Sequence, residues 1–237
     1  MREIFKKINP FINAKSRIKK ASRRKSKAQS MVEFAILLPL LIMLFSGMVE
    51  FGFMMNTYLS LLDATRQSAR LYSNKTPFML DTVTNTVVDD PSFYAAAAQE
   101  VVDTLAPPTD PDARQIVIDT TSTDSIDDVI ISVLSVSVDT TANPDVISLI
   151  DRKPDIPVGT QFFSLGGNQV SKYLDADIED FMTQNGAIPV ETGILIVEVY
   201  YGYEGILGLP WVEMFMSEED PIPLHASTVM PLVAAKP

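Results

Sequence analysis

Residues 28–56 read AQSMVEFAILLPLLIMLFSGMVEFGFMMN, and no other stretch of the chain is so poorly suited to water. Positions 34–49 pass without a charge, and with Glu50 tolerated the apolar run reaches Met55. At a rise of ~1.5 Å per residue such a run covers roughly 33 Å as a helix, about the hydrocarbon thickness of a bilayer. The stretch therefore predicts a transmembrane helix over about 34–55.

Working outward, the flanks are strongly unequal. Residues 1–28 hold 11 Lys and Arg against the single acid Glu3, whereas the remaining 8 cations face 29 acids, so a leader of net charge +10 precedes a remainder of −21. Positive charge beside a span is retained in the cytoplasm, which predicts an inner-membrane protein with its N-terminus inside and everything after Met55 outside. So acidic an exported part repels nucleic acid, and no nucleic-acid partner is expected. The basic tract is read as a topology signal lying against anionic lipid. Glu33, at the threshold of the apolar run, calls for a partner or a purpose, because a charge within a span costs about 2.5–3.5 kcal/mol on insertion scales.

A basic leader, a small residue, four more residues and then Glu-Phe entering an apolar helix is the layout of a type IV pilin-like precursor. The chain resembles the TadE-like minor pilins, or pseudopilins, of the Tad (tight adherence) pilus apparatus. The resemblance rests on Glu33-Phe34-Ala35, Leu37-Leu38-Pro39-Leu40-Leu41, Val49-Glu50-Phe51-Gly52 and the run from Asp63 to Tyr72, DATRQSARLY. A weaker likeness lies in Tyr200-Tyr201-Gly202-Tyr203 and in residues 224–230.

The resemblance implies a prepilin peptidase as partner, cutting between Ala28 and Gln29. Ala28 stands where the family usually has Gly. It also implies that Glu33, with Phe34 beside it, governs assembly with other pilin-like subunits by meeting the new amine of a neighbour's Gln29. Two charges otherwise stranded in an apolar setting would then offset each other. If the helix starts near Gln29, an anion in its first turn is also favoured by the macrodipole. The implied function is non-enzymatic: pilus assembly in adhesion or secretion, at the membrane or within the fibre. The alternative is a single-pass anchor carrying an extracytoplasmic ligand-binding or enzymatic domain behind an uncleaved signal anchor.

The expected division is a leader over 1–28, a spanning helix with its outward extension over 29–73, and an extracytoplasmic domain over 74–237. Those last residues suffice for one domain with a sizeable core. Within the leader, 1–11 reads as an amphipathic helix on the inner leaflet and 13–27 as a stretch without regular structure. Pro39 is expected to bend or loosen the span, Gly47 and Gly52 to permit close helix approach, and Glu50 to reach water near the outer interface.

Beyond it, residues 74–90 suggest a loop or irregular hairpin. Asp90-Pro91 reads as an N-cap with Pro at the first helical position, opening a helix that runs to Leu105 and stops at Pro107-Pro108. Residues 115–119 (QIVID), 128–139, 191–203 and 224–232 read as strands. Gly166-Gly167-Asn168 precede a helix bearing Val170, Tyr173, Leu174, Ile178, Phe181 and Met182 on one face, with Asp175, Asp177, Glu179 and Asp180 opposite, ended by Gly186. Helix first, then mixed strands and helices, gives an α+β fold.

Chemistry is sparse. The chain has no cysteine, and its one histidine, His225, falls in a predicted strand, so no His-based metal cluster can form. There is no nucleophile-elbow or P-loop motif, and neither cofactor nor metal is predicted. Asp119-Thr120-Thr121-Ser122-Thr123 only faintly resembles the D-x-S-x-S ion site of von Willebrand A-type domains. Asp124, Asp127 and Asp128 form one acidic cluster, and Asp175, Asp177, Glu179 and Asp180 another; either could attract Ca²⁺, though the spacing of the second is wrong for an EF-hand loop, and a solvated face is the ordinary reading. Tyr200, Tyr201, Tyr203, Trp211 and Phe215 are either a contact patch or core packing, and packing is favoured.

Overall fold

The computed structural model describes residues 9–109, 115–122, 124–139, 146–154, 161–173, 178, 193–214 and 220–234, with the backbone alone for 9–28, 137–139, 146–148 and 150. The chain divides into two units, Met1–Phe51 and Gly52–Pro237. A long apolar helix followed by a mixed helix and sheet domain makes the fold α+β.

Helix α1 (Asn9–Tyr72) supplies the described part of the first unit and the opening of the second. It begins earlier than the sequence suggests: residues 13–27, expected to lack regular structure, are helical. The reason is compositional, since Lys, Arg and Ala are good helix formers and no Gly or Pro interrupts them after Pro10. Pro39 lies inside the helix.

In the second unit, strands β1 (Phe78–Asp81) and β2 (Thr86–Asp89) form a regular antiparallel hairpin where a loop or an irregular hairpin was expected. Its turn is tied by Asp81, whose carboxylate accepts from the Val83 N–H at 2.8 Å and the Thr84 hydroxyl at 2.7 Å. Asn85 takes the left-handed φ of 54° that such turns require and Asn tolerates.

Helix α2 (Pro91–Leu105) begins and ends where the sequence places it. Asp90 is the N-cap and accepts from the Ser92 N–H at 2.9 Å, with Pro at the start of the helix.

The main sheet runs β4 (Val146–Lys153), β3 (Asp128–Asp139), β6 (Gly193–Tyr203), β7 (Ile222–Leu232), all antiparallel, with the short β5 (Phe163–Ser164) added beside β3. A four-residue helix, α3 (Pro210–Glu213), joins β6 towards β7. Alternation splits each central strand between two cores. Val129, Ile131 and Val133 with Leu195, Val197 and Val199 pack against Leu61, Ala64 and Ala69 of α1 and Tyr94, Ala97 and Val101 of α2. Leu134, Val136, Ile194 and Ile196 face the other way, against Ile178. Each fully buried Val, Leu or Ile among them contributes about 1.5–3 kcal/mol by burial. Two polar ties fix the helix layer: the Thr65 and Thr228 hydroxyls at 2.8 Å, and the Ser68 hydroxyl donating to the Ala97 carbonyl at 2.6 Å.

Two further expectations are corrected. Residues 115–119 are not a strand: the Ile116 N–H bonds the Leu105 carbonyl at 3.0 Å, and Ile116 and Ile118 are buried around an exposed Val117. The alternation was real, but it packs an extended segment against the end of α2 instead of pairing it in a sheet. Residues 169–173 are not helical either, because their polar groups are drawn into bonds with the sheet. Ile178 is helical, and the rest of that expected helix lies outside the described residues, as does Phe215.

Candidate functional site

The apolar part of α1 is turned inside out relative to a soluble helix. Met31, Ile36, Leu40, Leu44, Phe45 and Met48 are all exposed by 60% or more. The helix is long and apolar enough to cross a membrane, and its surface is that of an anchor whose burial must come from lipid or from other chains. A Cβ added at Gly47 or Gly52 would meet nothing within 4 Å, so within one chain neither glycine is used for a close approach.

The Ala28–Gln29 bond lies within α1. One turn on, the Gln29 side-chain amide donates to Glu33 Oε1 at 3.2 Å, both groups being exposed. Phe34 is 58% exposed beside them. Because α1 starts at Asn9, Glu33 is not in the first turn, and the macrodipole advantage expected for it does not operate in the uncut chain.

Glu50 departs from expectation: instead of reaching water it is 1% exposed. Ser46, one turn before it, is also buried and donates to the Met43 carbonyl at 2.9 Å.

The second unit holds buried polar groups: Asp127 and Asp128, expected on a solvated face, are 7% and 0% exposed because donors from distant segments enclose them, while Arg152 and Glu198 were not singled out by the sequence. Asp128, fully buried at the head of β3, accepts the Val129 and Gly166 N–H groups on one oxygen, and on the other the Ser164 hydroxyl and the Asn168 and Gln169 N–H groups, at 2.6–3.0 Å. The adjacent Asp127 accepts from the Asp119 and Gly202 N–H groups. Burial pushes its carboxyl above the usual Asp range, while those two N–H groups pull the other way. Arg152 of β4 donates to the Tyr173 carbonyl and to the Ser132 and Ser171 hydroxyls. Glu198, buried in β6, takes the Lys172 N–H at 3.1 Å and lies 3.3 Å from His225 Nε2. These groups clasp the coil 164–173 onto the sheet.

That arrangement decides the chemistry on offer. The oxygens of Asp127 and Asp128 are already taken by N–H and O–H donors, and Oδ1 of Asp119 is committed to Thr121 and Ser122. Among the described residues no group of three or more acids or histidines is placed to hold a metal. An open acidic cleft of about 860 Å³ lies between Asp119, Asp124, Glu204 and Asp220, with no convergent set of donors. Tyr200 and Tyr203 are buried, so the aromatic run of β6 belongs to packing. The signal for the burial of Asp128 was available only in hindsight: a polar pair, Asp127-Asp128, opening a six-residue run, 129–134, in which Ser132 is the one polar residue.

Residues 28–70 match a family model described as TadE-like protein. The match spans Ala28, Gln29, Glu33, Phe34 and Glu50, the stretch that carries the resemblance drawn from the sequence. No curated protein and no solved structure matches the chain.

Proposed function

We propose that this chain is a membrane-anchored minor pilin or pseudopilin of a Tad-type pilus machine, without enzymatic activity. The match over residues 28–70 carries the reading, because it falls on the segment whose apolar side chains are left outside. In this reading residues 1–28 are a cytoplasmic leader, 29–73 the spanning helix and its extension, and 74–237 the domain outside the inner membrane.

A prepilin peptidase cuts between Ala28 and Gln29. The cut does two things physically. It creates an amine at Gln29, and it makes the helix start there, which places Glu33 in the first turn where the macrodipole favours an anion by about 0.3–1 kcal/mol. A neighbour's amine then pairs with the carboxylate of Glu33, and the exposed apolar face of one helix is covered by the next, in the membrane or in a fibre used for adhesion or secretion.

The test is the N-terminus and intact mass of the protein recovered from membranes of cells that carry the cognate peptidase. A chain beginning at Gln29 supports the reading. One still beginning at Met1 overturns it in favour of an uncleaved anchor. Replacing Glu33 by Ala should abolish co-purification with the other pilin-like subunits while leaving the protein in the membrane.

A further inference from the structure

The second unit carries two surface features that the anchoring helix does not explain. One is the β1–β2 hairpin. Its register pairs Met79 with Val88 and Leu80 with Val87, so apolar side chains stand on both faces. Leu80 is 56% exposed, Val87 50% and the turn residue Val83 91%. A two-stranded hairpin with both faces apolar and open is marginal in water by itself.

The other is a groove of about 830 Å³ lined by Arg66, Arg70, Leu71, Glu100, Thr228 and Met230. It runs along β7, the terminal strand of the sheet. Gly202 pairs with Pro223, yet its N–H goes to Asp127, so at that pair the two strands point their backbone groups away from each other. Alternation then turns the N–H groups of His225, Ser227 and Val229 to the outer edge, between Pro223 and Pro231, which have none. Among the described residues no strand pairs with that edge.

Charge selects the occupant. Residues 29–237 carry 8 cations against 29 acids, and two of the eight line this groove. Arg66 lies 3.5 Å from Asp63, and Glu100 accepts from Gln67, but Arg70 has no anionic partner among the described residues. The hairpin brings Asp81, held ionised by the Thr84 hydroxyl and the Val83 N–H, which lower its pKa. The groove is lined by the last turns of α1, and the hairpin begins at Phe78, shortly after that helix ends at Tyr72.

We infer that the β1–β2 hairpin of one copy docks into the groove beside β7 of a second copy, with Arg70 facing the acidic hairpin. The contact adds strand edge to strand edge and covers Leu80, Val83 and Val87. It does not depend on leader cleavage or on the pilin reading.

The chain has no cysteine, which makes the test direct. Full-length copies bearing Leu71→Cys and differently tagged copies bearing Val83→Cys are co-expressed, and disulfide formation is read in membranes and in detergent. All the positions used are exposed, so folding is not at stake. Cross-linking should exceed that of a Val170→Cys and Val83→Cys pair by about tenfold. Arg70→Glu in the Leu71→Cys copy should lower the yield by about tenfold, and Thr82→Lys in the Val83→Cys copy should restore it. A yield no higher than the Val170 control, a yield indifferent to Arg70→Glu, or a cross-link only to a different protein overturns the inference.

Discussion

Residues 31–45 of α1 and residues 193–200 of β6 are both predominantly apolar, and the fold treats them in opposite ways. Every position from 31 to 45 is exposed, whereas every position from 193 to 200 is buried. The strand is enclosed by two cores of its own chain, one on each face. The helix segment has no such cover and must find it in lipid or in other subunits. Apolar content therefore does not say where a segment goes; what says it is whether the chain supplies both sides of the burial.

This contrast can be broken at either end. The largest effect is expected in the strand: Leu195→Ala leaves a cavity in the helix-covered core and should cost about 3–5 kcal/mol in unfolding of the outer domain, with membrane association unchanged. In the helix, Leu44→Arg should do the reverse, lowering the membrane-inserted fraction by about 3 kcal/mol while the thermal melting of the outer domain stays the same. If both variants moved both readouts together, the two regions would not be separately buried.

Smaller effects sharpen the picture at the outer domain's edges. Asp90→Ala removes the side-chain cap of α2 and should cost about 1 kcal/mol, read as a shifted denaturant midpoint with an unaltered slope. Least of all is a pH effect at Asp119. The Thr121 hydroxyl, then the Thr121 and Ser122 N–H groups, hold its carboxyl below the usual 3.8. A carboxyl depressed in the folded state contributes stability above its unfolded value and loses it as pH falls through the folded one. Stability should thus decline slightly more steeply below pH 3.8 in the native chain than in Asp119→Asn.

The parts legible in the sequence are those whose cause is local. Asp90-Pro91 and Pro107-Pro108 mark α2 because capping and chain stiffness act within a few residues. The strands at 128–139 and 193–203 show in their apolar runs. The apolar run that follows Phe34 stands out because a bilayer makes its demand on one short segment at a time. What stayed hidden depends on distant partners. Strand β4 (VISLIDRK) is broken by Asp151 and Arg152, and Arg152 becomes tolerable only through Ser132, Ser171 and Tyr173, some twenty residues away in either direction. Glu50 appears wetted by its position and is buried in fact. Alternation in 115–119 predicts a strand, yet nothing in those five residues tells whether a neighbouring strand exists.

The carboxylate of Asp128 has a consequence for how the domain breathes. It gathers the amides of Gly166, Asn168 and Gln169 and the Ser164 hydroxyl from some forty residues along the chain. Amides that share one acceptor are released by one event. Their protons should therefore exchange with deuterium at closely similar rates, set by a single opening free energy rather than by graded fraying. That coil is then a cooperative unit whose melting is decided at the first residue of β3.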